Sequence, residues 1–209
     1  MIRPDLKEFL STIPNNVTLV AATKYVDSLD MRQLYKDDIK DFGENRVDSF
    51  LKKYEELIDL KDISWHFIGH LQRNKAKEVI NKINYLHSLD SVELAKKIDA
   101  LREKPLNVFI EVSINLEENK NGVPYYEVES FIKEIMNLDR IKIVGLMMMA
   151  YKDSNNPESE FRKLTNLRDE LEQKLNINLP YLSMGMSDDY EAAIKAGATH
   201  IRLGRILYK

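Results

Sequence analysis

Pro180-Tyr181-Leu182-Ser183-Met184 and Thr199-His200-Ile201-Arg202-Leu203 are two short β-rich runs separated by a helical segment. Ser187 stands where a helix N-cap would help, and Gly197 follows Ala192–Ala196 as a helix C-terminal glycine would. A strand, a helix and a strand in close succession make a βαβ unit with parallel strands. The same alternation runs back through the chain. Further β-rich runs occur at Val17–Thr23, Ile39–Phe42, Ser64–Gly69, Asn84–Leu89, Leu106–Ile114 and Ile141–Met149. Helical spacing appears in Val47, Phe50, Leu51, Tyr54, Leu57 and Ile58, and again in Val128, Phe131, Ile132, Ile135 and Leu138. A third pattern, Phe161, Leu164, Arg168, Leu171 and Leu175, has Arg168 interrupting its apolar face. Ser28 and Ser91 are further candidate N-caps.

Eight runs in this length give one βα unit per ~26 residues, close to the minimum for a crossover and its strand. Alternating β and α predicts an α/β fold with a parallel sheet. Eight units predict a single (β/α)8 TIM barrel; a doubly wound open sheet is the rival. Too few residues follow Leu203 for an eighth outer helix. Asp5–Ile13 reads as an extra N-terminal helix through Leu6, Phe9, Leu10 and Ile13, expected to cover the wall left bare. Two polar loops, Glu117–Pro124 and Lys152–Pro157, are placed at strand C-terminal ends, where barrels carry function.

Composition narrows the function. The chain has 209 residues, 31 Lys+Arg against 34 Asp+Glu, and no Cys. One domain spanning residues 1–209 is expected. Without Cys there is no disulfide scaffold, thiol nucleophile or Cys-ligated metal. A near-balanced charge gives no support for nucleic-acid binding. No apolar run approaches the ~20 residues of a membrane span. Met1-Ile2-Arg3-Pro4-Asp5 has no apolar signal core, so a cytoplasmic protein is expected.

Several residues carry possible chemistry. Lys24 directly follows the first run, near the expected barrel mouth. Partial burial there would lower its pKa and free the amine to attack an aldehyde; a solvated lysine is the alternative. Phe42-Gly43-Glu44-Asn45-Arg46 ends the second run and opens a helix. Asn45 is a candidate ligand contact, or Glu44 and Asn45 are simple cap and first-turn residues. His66 and His70 lie on one strand face ~13 Å apart at ~3.3 Å per residue. One ion cannot bridge that span, so no metal site is expected. His66 reads as an interior residue and His70 as one that can face a ligand. Met147-Met148-Met149 reads as strand core or barrel lining.

The loops after the seventh and eighth runs, Ser183-Met184-Gly185-Met186-Ser187 and Arg202-Leu203-Gly204-Arg205, stand where barrels often bind phosphate. Small residues let a phosphate approach the backbone, and Ser183 can add a hydroxyl donor. A lysine and a phosphate site on one face suit a phosphorylated aldehyde, either pyridoxal 5'-phosphate (PLP) or a sugar phosphate handled by an aldolase. Arg202 near a pyridine nitrogen would keep that nitrogen unprotonated and weaken the ring as an electron sink.

Ala22-Thr23-Lys24, Phe42-Gly43-Glu44-Asn45-Arg46-Val47, the segment from Trp65 to Lys75, and His87-Ser88-Leu89-Asp90-Ser91 form an ordered set. It continues with Gly145-Leu146-Met147, the segment from Leu182 to Asp189, and Arg202-Leu203-Gly204. Over nearly the whole chain this set resembles the PLP homeostasis protein family, which is similar to the barrel domain of alanine racemase. The resemblance implies Lys24 as the Schiff-base lysine, Asn45 near the cofactor ring and Arg202 facing the pyridine nitrogen. It implies Ser183 and the backbone at Gly204 and Arg205 around the phosphate. Arg205 stands where the family usually has Ser or Thr. The implied role is a non-catalytic carrier that holds PLP in vitamin B6 homeostasis; a PLP-dependent amino-acid racemase is the alternative. Alanine racemases use a second, β-rich domain and a partner subunit's tyrosine. Nothing marks Tyr125, Tyr126, Tyr151 or Tyr208 as such a base. The expected ligand is PLP, the candidate recipients are PLP-dependent apo-enzymes, and a monomer without nucleic-acid or membrane partners is expected.

Overall fold

A computed structural model describes residues 2–114, 121–151 and 154–208. The two polar loops read at Glu117–Pro124 and Lys152–Pro157 fall partly outside them. Nine strands lie among the described residues: β1 (Thr18–Ala22), β2 (Asp41–Glu44), β3 (Ser64–Phe67), β4 (Tyr85–Leu89), β5 (Leu106–Ser113), β6 (Val123–Pro124), β7 (Ile141–Met147), β8 (Tyr181–Ser183) and β9 (His200–Leu203). They pair in parallel in the order β4-β3-β2-β1-β9-β8-β7-β5, and β4 also pairs with β5. That last pairing closes an eight-stranded barrel and excludes the open sheet. The two-residue β6 pairs only with the end of β5.

Helices α2 (Ser28–Lys36), α3 (Val47–Glu56), α4 (Ala76–Val79), α5 (Val92–Leu101), α6 (Val128–Ile135), α7 (Pro157–Leu175) and α8 (Tyr190–Lys195) fill the crossovers. After β9 the described residues form a 3-10 turn, Arg205–Leu207. The N-terminal helix α1 (Leu6–Ser11) stands in the vacant place. Phe9 meets Tyr190 of α8 edge-on at 5.9 Å, the Arg3 amide donates to the Leu207 carbonyl, and Ile2 bridges Tyr208. Each apolar side chain buried this way contributes ~1.5–3 kcal/mol. No helix among the described residues is long and apolar enough to cross a membrane.

Local chemistry shifts some expected boundaries. The second strand begins at Asp41, two residues after Ile39. Asp38 adopts a left-handed conformation, and the Ile39 amide bonds back to the Leu34 carbonyl, so it is not available to the sheet. The N-cap of α2 is Asp27 rather than Ser28; its carboxylate accepts from the Leu29 and Asp30 amides. Ser91 occupies the N-cap of α5 without a side-chain bond, and the N-cap of α8 is Asp189 rather than Ser187. Gly197 ends α8 with φ 98°, as its position suggests. On α7 the buried stripe is Phe161, Leu164, Leu167 and Leu171, so Arg168 sits beside it and pairs with Asp169 and Glu172. Met147 and Met148 are core, whereas Met149 is exposed.

Gly145 is required by packing. It faces Tyr181 in the β7–β8 register, and a Cβ there would overlap the Tyr181 carbonyl oxygen. Gly145→Ala must therefore push β7 and β8 away from each other. The expected loss is about 2–3 kcal/mol, read from the denaturant midpoint; a shift worth under about 0.5 kcal/mol would contradict it.

Candidate functional site

The ends of β1, β2, β8 and β9 meet at one barrel mouth. Ala22 pairs with Gly43, so Lys24 and Asn45 each lie two residues past a matched pair. Val20 pairs with Arg202, which brings Gly204 beside Ala22. A Cβ on Gly204 would come within 3.3 Å of the Ala22 carbonyl oxygen.

Lys24 departs from expectation in one respect. It is exposed rather than partly buried, and its Nζ lies 4.7 Å from the centroid of the exposed Tyr25 ring. The burial lies one residue earlier. Thr23 is fully buried, and its hydroxyl donates to Glu44 Oε1 at 2.5 Å. Lys53 Nζ reaches in from α3 and donates to the same Oε1 at 2.5 Å and to the Thr23 carbonyl at 2.6 Å. A buried ion pair therefore clamps the backbone directly below Lys24. Glu44 is thus more than a first-turn residue. Lys53 was missed, although it sits three residues from Phe50 and four from Leu57, on the apolar stripe of α3.

Asn45 Oδ1 is buried and has no hydrogen-bond partner among the described residues. Gly69 permits this close packing, since a Cβ there would crowd the Asn45 Cα at 2.7 Å. An acceptor left orphaned at a barrel mouth fits a ligand that brings a donor.

Arg202 and Ser183 are brought into direct contact inside the barrel. Arg202 Nη1 donates to Ser183 Oγ at 2.7 Å, and Nη2 donates to the Met148 carbonyl at 3.0 Å. Burial lowers the Arg202 pKa to about 10, against the opposing pull of Glu111 and Asp189. Ser183 is fully buried and its Oγ also lies 2.7 Å from His87 Nδ1. Its hydroxyl faces the barrel interior and is engaged by Arg202 and His87. Ser187 lies beside the backbone that follows β9. Its Oγ accepts from the amides of Gly204 and Ile206, each at 3.4 Å. Gly185, at φ 94°, turns the chain toward it; a Cβ there would lie 2.6 Å from that of Ala193. The Arg205 guanidinium points away and pairs with the exposed Asp188.

His66 is buried within the barrel, as read. His70 is half-exposed, hydrogen-bonds Asp90 at 3.1 Å, and borders an open cleft of about 780 Å³ with Arg73 and Ser91. Nearby, Glu111 is buried, and burial, then Asp90, raise its pKa to about 7 against Arg202 and His70. The fold favours its protonated form. That stabilisation is full below the unfolded value of 4.5 and is lost as pH rises through about 7. Glu111→Gln is expected to gain on the parent by up to about 3 kcal/mol between pH 5 and pH 8. Melting temperatures across that range check it; parallel profiles would contradict it.

Residues 4–209 match the family described as alanine racemase, N-terminal domain. The pyridoxal phosphate homeostasis protein of Aquifex aeolicus is 44% identical over 201 residues, covering 93% of this chain and 87% of that protein. That of Synechocystis is 39% identical over 207 residues, covering 96% and 94%. Among solved structures, PipY of Synechococcus elongatus with PLP bound superposes with a TM-score of 0.90 at 30% identity, covering 98% of this chain and all of that one. Alanine racemase of Corynebacterium glutamicum shares the fold, with a TM-score of 0.76 at 13% identity over 97% of this chain and 59% of its own. With this barrel, this mouth and these relatives, the chain belongs to the pyridoxal phosphate homeostasis protein family, built on the alanine racemase N-terminal fold.

Proposed function

We propose that this protein binds PLP in the barrel mouth through a Schiff base on Lys24, and buffers or delivers it in the cytoplasm without catalysing a reaction of its own. The convergence of four features at one face carries the reading: the exposed amine of Lys24, the unpartnered Asn45 Oδ1, the buried guanidinium of Arg202, and the Gly204 and Ile206 amides around Ser187. PLP supplies an aldehyde that a primary amine captures, a ring nitrogen and a phosphate. Lys24 offers the amine, on a backbone held still by Lys53 and Glu44. Asn45 borders the ring. Arg202, as a permanent donor, faces the pyridine nitrogen and holds it unprotonated. Ser187 and the backbone from Gly204 to Ile206 cradle the phosphate, as donors on small residues do. Ser183 acts one step back, on Arg202.

PLP in PipY and the role named for the 44%-identical relative both support a carrier. The likeness to alanine racemase is one of fold. Apo-forms of PLP-dependent enzymes are the natural recipients, and the single barrel of residues 1–209 acts as a monomer. Equilibrium dialysis and absorbance with PLP are expected to show saturable uptake of one PLP per chain. L-Alanine incubated with the loaded protein is expected to keep its optical rotation. Absence of saturable uptake would overturn PLP binding, and sustained racemisation would overturn the carrier role.

A further inference from the structure

Arg202, Ser183, His87, His66 and Asp41 form a file of hydrogen bonds through the barrel interior, with the Ser64 hydroxyl as a side partner 3.1 Å from His66 Nε2. Arg202 Nη1 lies 2.7 Å from Ser183 Oγ, and Ser183 Oγ lies 2.7 Å from His87 Nδ1. His87 Nε2 lies 2.9 Å from His66 Nδ1, and His66 Nε2 lies 2.9 Å from Asp41 Oδ1. The upper end is a guanidinium, which can only donate. The lower end is a carboxylate, which when ionised can only accept. These ends dictate everything between them. His66 must donate from Nε2, which leaves its Nδ1 to accept from His87 Nε2–H. His87 Nδ1 then accepts the Ser183 hydroxyl proton, and Ser183 Oγ accepts from Arg202. The reverse order would set a bare imidazole nitrogen against a carboxylate. A second proton on either ring would set donor against donor.

We propose that Asp41, His66 and His87 are positioning residues that, through Ser183, hold the Arg202 guanidinium in the orientation it presents to the cofactor ring. This rests on the PLP reading of the mouth. The surroundings agree with it. Burial would raise Asp41, but bonds from His66 and Ser64 outweigh it and keep the carboxylate ionised. Burial lowers His66, and lowers His87 well below its ordinary value, the direction that one proton per ring requires. Tyr85 stacks on His66 at 4.6 Å and Phe109 on His87 at 4.3 Å, which fixes the ring planes. Two other titratable groups face these rings: Tyr85, whose phenol burial raises above its ordinary value, and His200, 6.2 Å from His87 and 6.4 Å from His66, which burial pushes down to about 3, so neither adds charge.

The chain is testable with and without PLP. In ligand-free protein, imidazole nitrogen NMR is expected to show His66 and His87 both protonated at Nε2, bare at Nδ1 and unchanged between pH 5 and pH 8. The Arg202 Nη signals are expected to be separately resolved, and to merge in Asp41→Ala and His87→Leu. With PLP, His87→Leu is expected to weaken binding by about tenfold, as loss of an outer partner typically does, and to shift the absorbance band. His87→Gln, whose amide accepts at one end and donates at the other, is expected to restore both to within about threefold. A proton on Nδ1 of either ring, or resolved Arg202 signals in both folded variants, would overturn the proposal. So would unchanged PLP affinity and band in a folded His87→Leu. If the parent takes up no PLP, the cofactor reading fails instead, and the ligand-free signals still decide whether the chain positions Arg202.

Discussion

Lys24→Ala is expected to abolish the covalent PLP absorbance band while leaving the barrel as stable as the parent. Lys24 is exposed, and its visible partner is the face of Tyr25, itself 79% exposed. A cation–ring contact at such a site is worth about 0.5–1 kcal/mol, so the thermal midpoint moves by a few degrees at most. The chemical loss is expected to be complete, because among the described residues Lys24 is the exposed amine at the end of β1. The lysine that reaches this point from α3, Lys53, is buried and already committed to Glu44 and the Thr23 carbonyl. Residual PLP uptake in the variant is expected to be weak and removable by dialysis, held by the phosphate cradle alone. A band of parental intensity in Lys24→Ala would show that another lysine carries the ligand.

Lys53→Met has the largest expected effect on stability. Glu44 is fully buried and Lys53 nearly so. Glu44 Oε2 already has no partner among the described residues, so removing the ammonium strands a carboxylate with only the Thr23 hydroxyl on its other oxygen. Breaking a buried pair from one side typically costs about 3–5 kcal/mol, because the surviving charge cannot reach water. Replacing both partners with apolar groups of similar size is far milder. Lys53→Met alone is therefore expected to lower the urea midpoint sharply at unchanged m-value, and Lys53→Met/Glu44→Leu to recover most of the loss. The clamp on the Thr23 carbonyl is lost in both. Both are therefore expected to bind PLP less tightly than the parent, even where stability returns. A single-variant loss under about 1 kcal/mol would mean that the pair is hydrated.

The barrel was legible because the period of the apolar pattern alternates along the entire chain and a parallel sheet demands that alternation. Closure itself lies in the β4–β5 pairing, a contact between segments that local patterning does not reveal. The helix caps were misplaced by one or two residues at Ser28 and Ser187, in each case because a neighbouring aspartate takes the cap position. Lys24, Asn45, Arg202 and Gly204 read as lying at or beside strand ends, and the fold brings those ends to one barrel mouth. Direction was not legible. Ser183 and Ser187 sit four residues apart in one motif, yet one faces the barrel interior and the other the Gly204 amide. Arg205 has its backbone next to Gly204 and its side chain against Asp188. The histidine chain draws on residues from several strands, and its order depends on side-chain orientation across the barrel.

Borohydride reduction of the PLP-loaded protein, followed by peptide mass mapping, tests the central claim most directly. Reduction converts a Schiff base into a stable secondary amine, so the lysine that held PLP keeps a phosphopyridoxyl group. The account predicts one labelled peptide, carrying Lys24, at a yield that tracks the absorbance band. A label on another lysine, or a band that leaves no label at Lys24, would contradict it.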